Sequence, residues 1–258
     1  MGVSAFVHCR CWRDGVAVAP PGIGPIGFDE SGRLGLLVPW SRDNADEHGA
    51  VEDWLRNGCS HPDMEFLDEQ IGAWAAVHYL AEALVGAGAA NFPVLLRHLP
   101  KTNDGCIPAA AVPAVLAELD FFESSARLAD EIVLVDEATG DALYGYLKRH
   151  HGVFSWGRYD FGVDPAGFFV VDRAEPPVTL FRAMRFEQRV LPGGELELTG
   201  DGRQVRLATT PVAGFLPVPP QRLAVRVRPR SAADFRLVAV LRRLGAAALT
   251  TGNPIGWT

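Results

Sequence analysis

Lysine is nearly missing from this sequence. Its basic residues are 22 arginines and only two lysines, Lys101 and Lys148. With abundant alanine, glycine and proline, that usage points to a GC-rich bacterial genome. Cysteine is scarce as well. Four in 258 residues are too few for a disulfide scaffold, which leaves free thiols, metal ligands or a nucleophile. No apolar run approaches the ~20 residues that cross a bilayer. The longest such stretch, 73–90, is broken by His78, Glu82 and glycines. The short apolar run 3–7 meets His8, Cys9 and Arg10 at once, so no signal peptide is expected, and the expected location is the cytoplasm with no membrane partner. A GxSxG elbow, a P-loop and an HExxH helix are also missing. One GxGxxG match runs from Gly22 to Gly27, but Pro25 lies inside it and no helix is expected after it, so no dinucleotide site is expected.

What is present suits a folded protein, with 48% hydrophobic and 21% charged residues. A chain of this length hides roughly 70–75% of its unfolded surface on folding, enough for a sizeable core. The net charge of −7 is unevenly spread. Residues 1–128 carry 8 basic and 17 acidic side chains, and residues 129–258 carry 16 and 14. An acidic first half argues against nucleic-acid binding and favours a basic partner.

Residues 4–12 alternate as a strand, with Ala5, Val7, Cys9 and Cys11 on one side. A second short strand is expected within 33–40. A helix is expected over 47–57, stopped by Gly58, and a longer one from Pro62 to Val85, with Pro62 at its first position and Asp63 and Glu65 in its first turn. Further helices are predicted at 91–99 and 109–122, then short strands punctuated by glycine, proline and Asp-Gly, with a short helix near 139–148. Gly200-Asp201-Gly202 marks a hairpin, an Asn103-Asp104-Gly105 turn precedes Cys106, and Ser231 caps a last helix stopped by Gly252. The expected class is α+β: an N-terminal strand pair and helical section, then an antiparallel strand-rich section closed by a helix. The expected organisation is a single compact unit, 1–258, with a helical acidic subregion 1–128 and a strand-rich subregion 129–258 that includes the last helix.

The most specific chemical pattern pairs Cys9-x-Cys11 with Cys59-x-His61. Residues two apart on a strand point to one side, so Cys9 and Cys11 aim together. Cys59 and His61 then sit at a helix start, where thiolate is favoured. Three thiolates and an imidazole are a closed zinc set with no open position, which points to a structural metal. One intervening residue in each pair departs from the usual two to four. The plain alternative makes Cys9 and Cys11 small buried apolar side chains. A rival chemistry is a metal- or cysteine-dependent hydrolase using His61, Glu65 and Cys59, with His61 and Glu65 on one helix face. Residues 43–69 hold nine acids and one base, Arg56, either a solvated face or a dock for a basic protein such as a toxin. Arg226, Arg228 and Arg230 share one strand face, and are expected to pair with acids or guard a sheet edge.

Several segments together carry a resemblance. They are His8-Cys9-Arg10-Cys11, Cys59-Ser60-His61-Pro62-Asp63-Met64-Glu65, Asn91-Phe92-Pro93-Val94-Leu95 with Leu99-Pro100, residues 167–173, residues 186–189 and the stretch 251–257. The pattern resembles a family of uncharacterised bacterial proteins, mainly actinobacterial, and would cover most of the chain. The resemblance transfers no activity. In general character the chain is similar to immunity proteins that neutralise bacterial toxins.

Overall fold

A computed structural model describes residues 3–101 and 105–258. The Asn103-Asp104 part of the turn expected before Cys106 lies outside the described residues. The chain starts with β1 (Val3–His8), then a small hairpin of β2 (Ile26–Phe28) and β3 (Leu34–Leu36). It continues through α1 (Ala45–Asn57), β4 (Glu65–Gly72), α2 (Trp74–Gly86), α3 (Pro93–His98), β5 (Cys106–Ile107) and α4 (Val112–Ser124). Three helices fall where apolar periodicity places them.

The long helix expected from Pro62 does not form. Residues Pro62–Met64 make a single 3-10 turn, with Asp63 and Met64 at φ of 51° and 53°. The next eight residues are β4, in which Leu67 and Ile71 point inward while Phe66, Asp68 and Gln70 face solvent. That is a period of two, and pairing with β1 through Ser4↔Gln70, Phe6↔Asp68 and Val7↔Leu67 selects it over helix. The helix starts only at Trp74, after Gly72 turns the chain at φ 108°.

The chain then builds a second region from β6 (Glu131–Asp136), β7 (Ala142–Gly145), β8 (Val153–Ser155), β9 (Tyr159–Asp164) and β10 (Gly167–Asp172). It goes on through β11 (Val178–Ala183), β12 (Arg185–Val190), β13 (Leu196–Gly200), β14 (Arg203–Leu207) and β15 (Arg222–Arg228). They form two antiparallel sheets, ordered β14-β13-β12-β15-β6-β7 and β11-β10-β9-β8. Both sheets contribute to one core, in which Phe168 of one stacks on Phe186 of the other at 4.3 Å. The short helix expected near 139–148 is instead strand β7, because Gly140 at φ 80° closes a tight turn that returns β7 against β6. Asp201 and Gly202 both take positive φ (48° and 73°), the hairpin geometry that Asp-Gly favours. Arg226 and Arg228 pair with Glu137 and Glu131, acids of the same region.

A box between Ser231 and Asp234 then leads into α5 (Arg236–Thr251), which Gly252 ends in the left-handed region at φ 69°. The chain finishes with β16 (Ile255–Trp257). β16 sits inside a four-stranded antiparallel sheet ordered β4-β1-β16-β5. Its side chains share a core with α2, α3, α4 and α5. Within that core the half-helix α3 is held by Glu118, whose buried carboxylate accepts the backbone N–H groups of Val94 and Leu95 at 2.8 and 2.7 Å.

The protein is thus a mixed α+β chain, and it divides by its contacts into two units. One is Met1–Leu128 with Ser231–Thr258, the other Ala129–Arg230. The boundary at 128 is where composition changes along the sequence. The last helix, which the sequence places with the strands, packs instead into the first unit, because its apolar stripe (Leu237, Leu241, Leu244, Ala248) meets the core of β1 and α4. Among the described residues, no helix is long and apolar enough to cross a membrane.

Candidate metal centre

Cys9, Cys11, Cys59 and His61 come together. One donor atom from each lies within 4.8 Å of all the others. The Cys9 and Cys59 sulfurs are 3.7 Å apart, and His61 Nδ1 lies 3.5 Å from Cys11 Sγ and 3.7 Å from Cys59 Sγ. Zinc–sulfur bonds of ~2.3 Å and zinc–nitrogen bonds of ~2.0–2.1 Å, set at tetrahedral angles, put two sulfurs about 3.8 Å apart and sulfur and nitrogen about 3.6 Å apart. These three spacings match those of a tetrahedral coordination shell. The cluster could hold a metal ion such as zinc.

The local route to this geometry differs from the expected one. β1 ends at His8, so Cys9 and Cys11 are not two positions on a strand. Cys9 N–H still donates to Met64 C=O at 2.7 Å, and then the chain coils: Asp14 N–H reaches Arg10 C=O, and Val16 and Ala17 N–H both reach Cys11 C=O. The turn replaces the strand alternation and explains why one intervening residue suffices. Cys59 and His61 likewise do not begin the long helix expected from Pro62, only a single 3-10 turn. They follow the C-terminal end of α1, where Gly58 N–H closes on Trp54 C=O at 2.7 Å. A Cβ at Gly58 would sit 2.4 Å from the Met64 methyl and 2.6 Å from Trp54 C=O, so only glycine fits that approach.

Burial pushes the Cys9 thiol up to about 12, and the adjoining Cys11 and Cys59 sulfurs push the same way; burial also raises Cys11. Sulfurs packed this closely are neutral thiols unless a cation among them offsets the charge of the thiolates. The surrounding core is small: Cys9, Ala17, Leu34, Val51, Trp54 and Met64 form a satellite cluster apart from the main core of the unit. A cluster of that size gives little apolar burial to hold the hairpin, α1 and the cysteine turn in place, which is the situation in which small proteins use a metal.

Two supports escaped sequence reasoning. Asn253 is buried, and its Nδ2 donates to the carbonyls of both His8 and Cys9, at 2.8 and 2.9 Å. It thereby ties the end of α5 to the first ligand. The only sequence signal was its place after Gly252, a helix stop. His8 is the second support. Its Nε2 accepts Leu34 N–H at 3.1 Å, so the ring proton sits on Nδ1, which faces Met64 C=O at 3.3 Å. His8 is therefore a neutral structural bridge between β1, β3 and Met64, and burial lowers its pKa. Removing the Asn253 clamp is expected to loosen the Cys9 turn. Outer-shell partners of this sort are worth about 10–100-fold in metal affinity, so Asn253→Ala should weaken zinc binding by about that factor in a competition titration against a chelator.

Glu65 does not join the cluster. With the expected helix replaced by β4, it lines a separate cavity of about 270 Å³ with Phe6, His8, Glu52 and Asp63. The hydrolase trio of His61, Glu65 and Cys59 is therefore not assembled as one set of ligands. Burial, with Asp68 and Asp63 adding repulsion, raises Glu65 to about 7. The folded state holds that proton more tightly than the unfolded chain, so its ionisation opposes folding progressively from about pH 4.5 to 7 and fully above. Glu65→Gln should be more stable than the wild type at pH 8, and the gap should close by pH 4.5 in denaturant titrations. A gap that stays constant with pH would overturn the assignment.

Apart from Glu65, the acids of 43–69 divide in two. Glu69 pairs with Arg243 through both oxygens, and Glu52 and Asp53 share Arg56. Asp43, Asp46, Glu47, Asp63 and Asp68 are exposed and in no ion pair among the described residues. On α1 the inward residues are Val51 and Trp54, which leaves its acids facing out.

Comparison with protein-family models, curated proteins and solved structures finds no match to this chain.

Proposed function

We propose that this chain is a non-enzymatic binding protein for a basic protein partner, in the manner of a bacterial immunity protein facing its toxin, with structural zinc at Cys9, Cys11, Cys59 and His61. The carrying observation is the closed donor set. Three sulfurs and one imidazole nitrogen, with three of their spacings at tetrahedral values, would fill all four positions of a zinc ion. When bound, zinc would supply cross-linking and charge neutralisation and leave no site for substrate. Cys9 and Cys11 would hold it from the turn after β1, and Cys59 and His61 from the turn after α1.

Unpaired acids on and just before α1 (Asp43, Asp46, Glu47) and on and just before β4 (Asp63, Asp68) favour a basic partner. They lie in the same stretch of chain that the cluster braces. Unpaired surface charge of one sign speeds encounter with the opposite sign and is screened by salt. The test is capture from the source cell with wild-type protein and with an Asp43→Lys, Asp46→Lys, Glu47→Lys variant of equal thermal stability. The expected result is a basic protein retained at low salt by the wild type and released by raised salt or by the triple change. Equal recovery on both baits, or a partner that is not basic, would overturn the reading.

A further inference from the structure

We infer that Cys9 and Cys59 are a reversible disulfide pair, driven by a hydroperoxide, whose oxidation discharges the metal from the site. The inference rests on the zinc reading above and adds its regulation. The observations are geometric. The two sulfurs are 3.7 Å apart, close enough for a small side-chain rotation to bring them to bonding distance. The two residues lie 50 positions apart in sequence, one after β1 and one after α1, so a bond between them crosses the whole metal-bearing corner. Their exposures differ in a useful way: Cys9 is buried at 4%, whereas Cys59 is half-buried. Of this pair, Cys59 is therefore the one an oxidant from solvent meets first, with Cys9 behind it as the resolving sulfur.

The chemistry balances with hydrogen peroxide as oxidant. Cys59 Sγ attacks one peroxide oxygen. An S–O bond forms, the O–O bond breaks, and the departing hydroxide takes a proton from solvent to become water. Cys9 Sγ then attacks the sulfur of the Cys59 sulfenic acid. The S–S bond forms, the S–O bond breaks, and the second hydroxide leaves as water with another solvent proton. Each sulfur gives up one electron, and the peroxide takes both. A disulfide sulfur is not a zinc ligand, so two of the four donors are gone. Cys11 and His61 remain, too few to hold the ion. The corner loses its metal but gains a covalent link between the same two turns, so oxidation changes the kind of cross-link without removing it.

Cys106 provides the internal control. It lies on β5, outside the donor set, and does not take part. The experiment uses the full chain, purified reduced and loaded with zinc, treated with increasing hydrogen peroxide while released zinc is read with a chromophoric chelator. The same samples are digested without reduction and mapped by mass spectrometry. The expected result is about one zinc released per disulfide formed, the bond mapping to Cys9 and Cys59, and both reversed by a dithiol reductant with zinc present. Cys106→Ser should behave as the wild type. Zinc release with oxidation mapping to sulfinic acids, to Cys106 or to a Cys11–Cys59 bond would overturn the pair. So would full zinc retention at peroxide levels that oxidise a free thiol. A reduced protein that takes up no zinc would overturn the metal reading, and this is distinguishable, because the peptide map scores the disulfide with or without metal.

Discussion

Cys59→Ser is expected to abolish zinc binding and to lower the thermal midpoint of the first unit by about 8–16 °C. Serine nearly preserves the volume of cysteine, so the change tests ligation and not packing. Its hydroxyl does not ionise near neutral pH and cannot replace a thiolate. The size of the effect follows from linkage. A ligand at a thousand times its dissociation constant stabilises the folded state by about 4 kcal/mol, and each kcal/mol moves the midpoint by about 2–4 °C at this size. The loss should concentrate in the corner made by the β2–β3 hairpin, α1 and the cysteine turn, whose own apolar core is only a satellite cluster. Metal analysis of protein purified without added zinc should read about one ion per chain in the wild type and in Cys106→Ser, and none in Cys59→Ser. A zinc-free wild type with the same midpoint as the variant would return the cysteines to plain packing roles.

Trp257→Ala is expected to be equally severe for a different reason. Trp257 has no solvent exposure and lies on β16, an interior strand of its sheet, paired with Ala5 of β1. Truncating a buried tryptophan removes its transfer free energy and leaves a cavity, together about 3–5 kcal/mol. At about 2–4 °C per kcal/mol that is roughly 6–20 °C. Unlike Cys59→Ser, this variant should still bind zinc and be stabilised by it while staying well below the wild type, because the coordinating atoms remain. Thermal unfolding of the variant with and without added zinc separates the two effects. A Trp257→Ala protein that zinc restores to wild-type stability would show that the sheet is held by the metal corner and not by its own core.

The sequence made some of this legible and hid the rest for physical reasons. The helices at 45–57, 93–98, 112–124 and 236–251 carry both period and punctuation, with Gly58 and Gly252 at the right ends. The helix expected after Pro62 fails because Phe66, Ile71 and Trp74 are apolar at helical spacing by coincidence. The strand pattern of β4 runs into the helix pattern of α2, and only pairing with β1 separates them. Strands β5 and β16 are two and three residues long and leave no period to read. The four donors of the cluster were legible because Cys-x-Cys and Cys-x-His are rare in a chain with so little cysteine. Asn253 was not, because its role depends on a contact 244 and 245 residues away.

The order in which the chain is made gives the placement of β16 a further meaning. The sheet that carries β1 and β4 lacks its interior strand until residue 257 has left the ribosome, whereas every strand of the inserted unit Ala129–Arg230 is already out. At roughly 5–20 residues per second, the first 128 residues wait about 6–25 s for that strand. During the wait the inserted unit can finish folding. The apolar faces of β1, α2 and α4 stay without their last partners, so the unit that bears the Cys/His cluster is the one exposed to chaperones and proteases at birth.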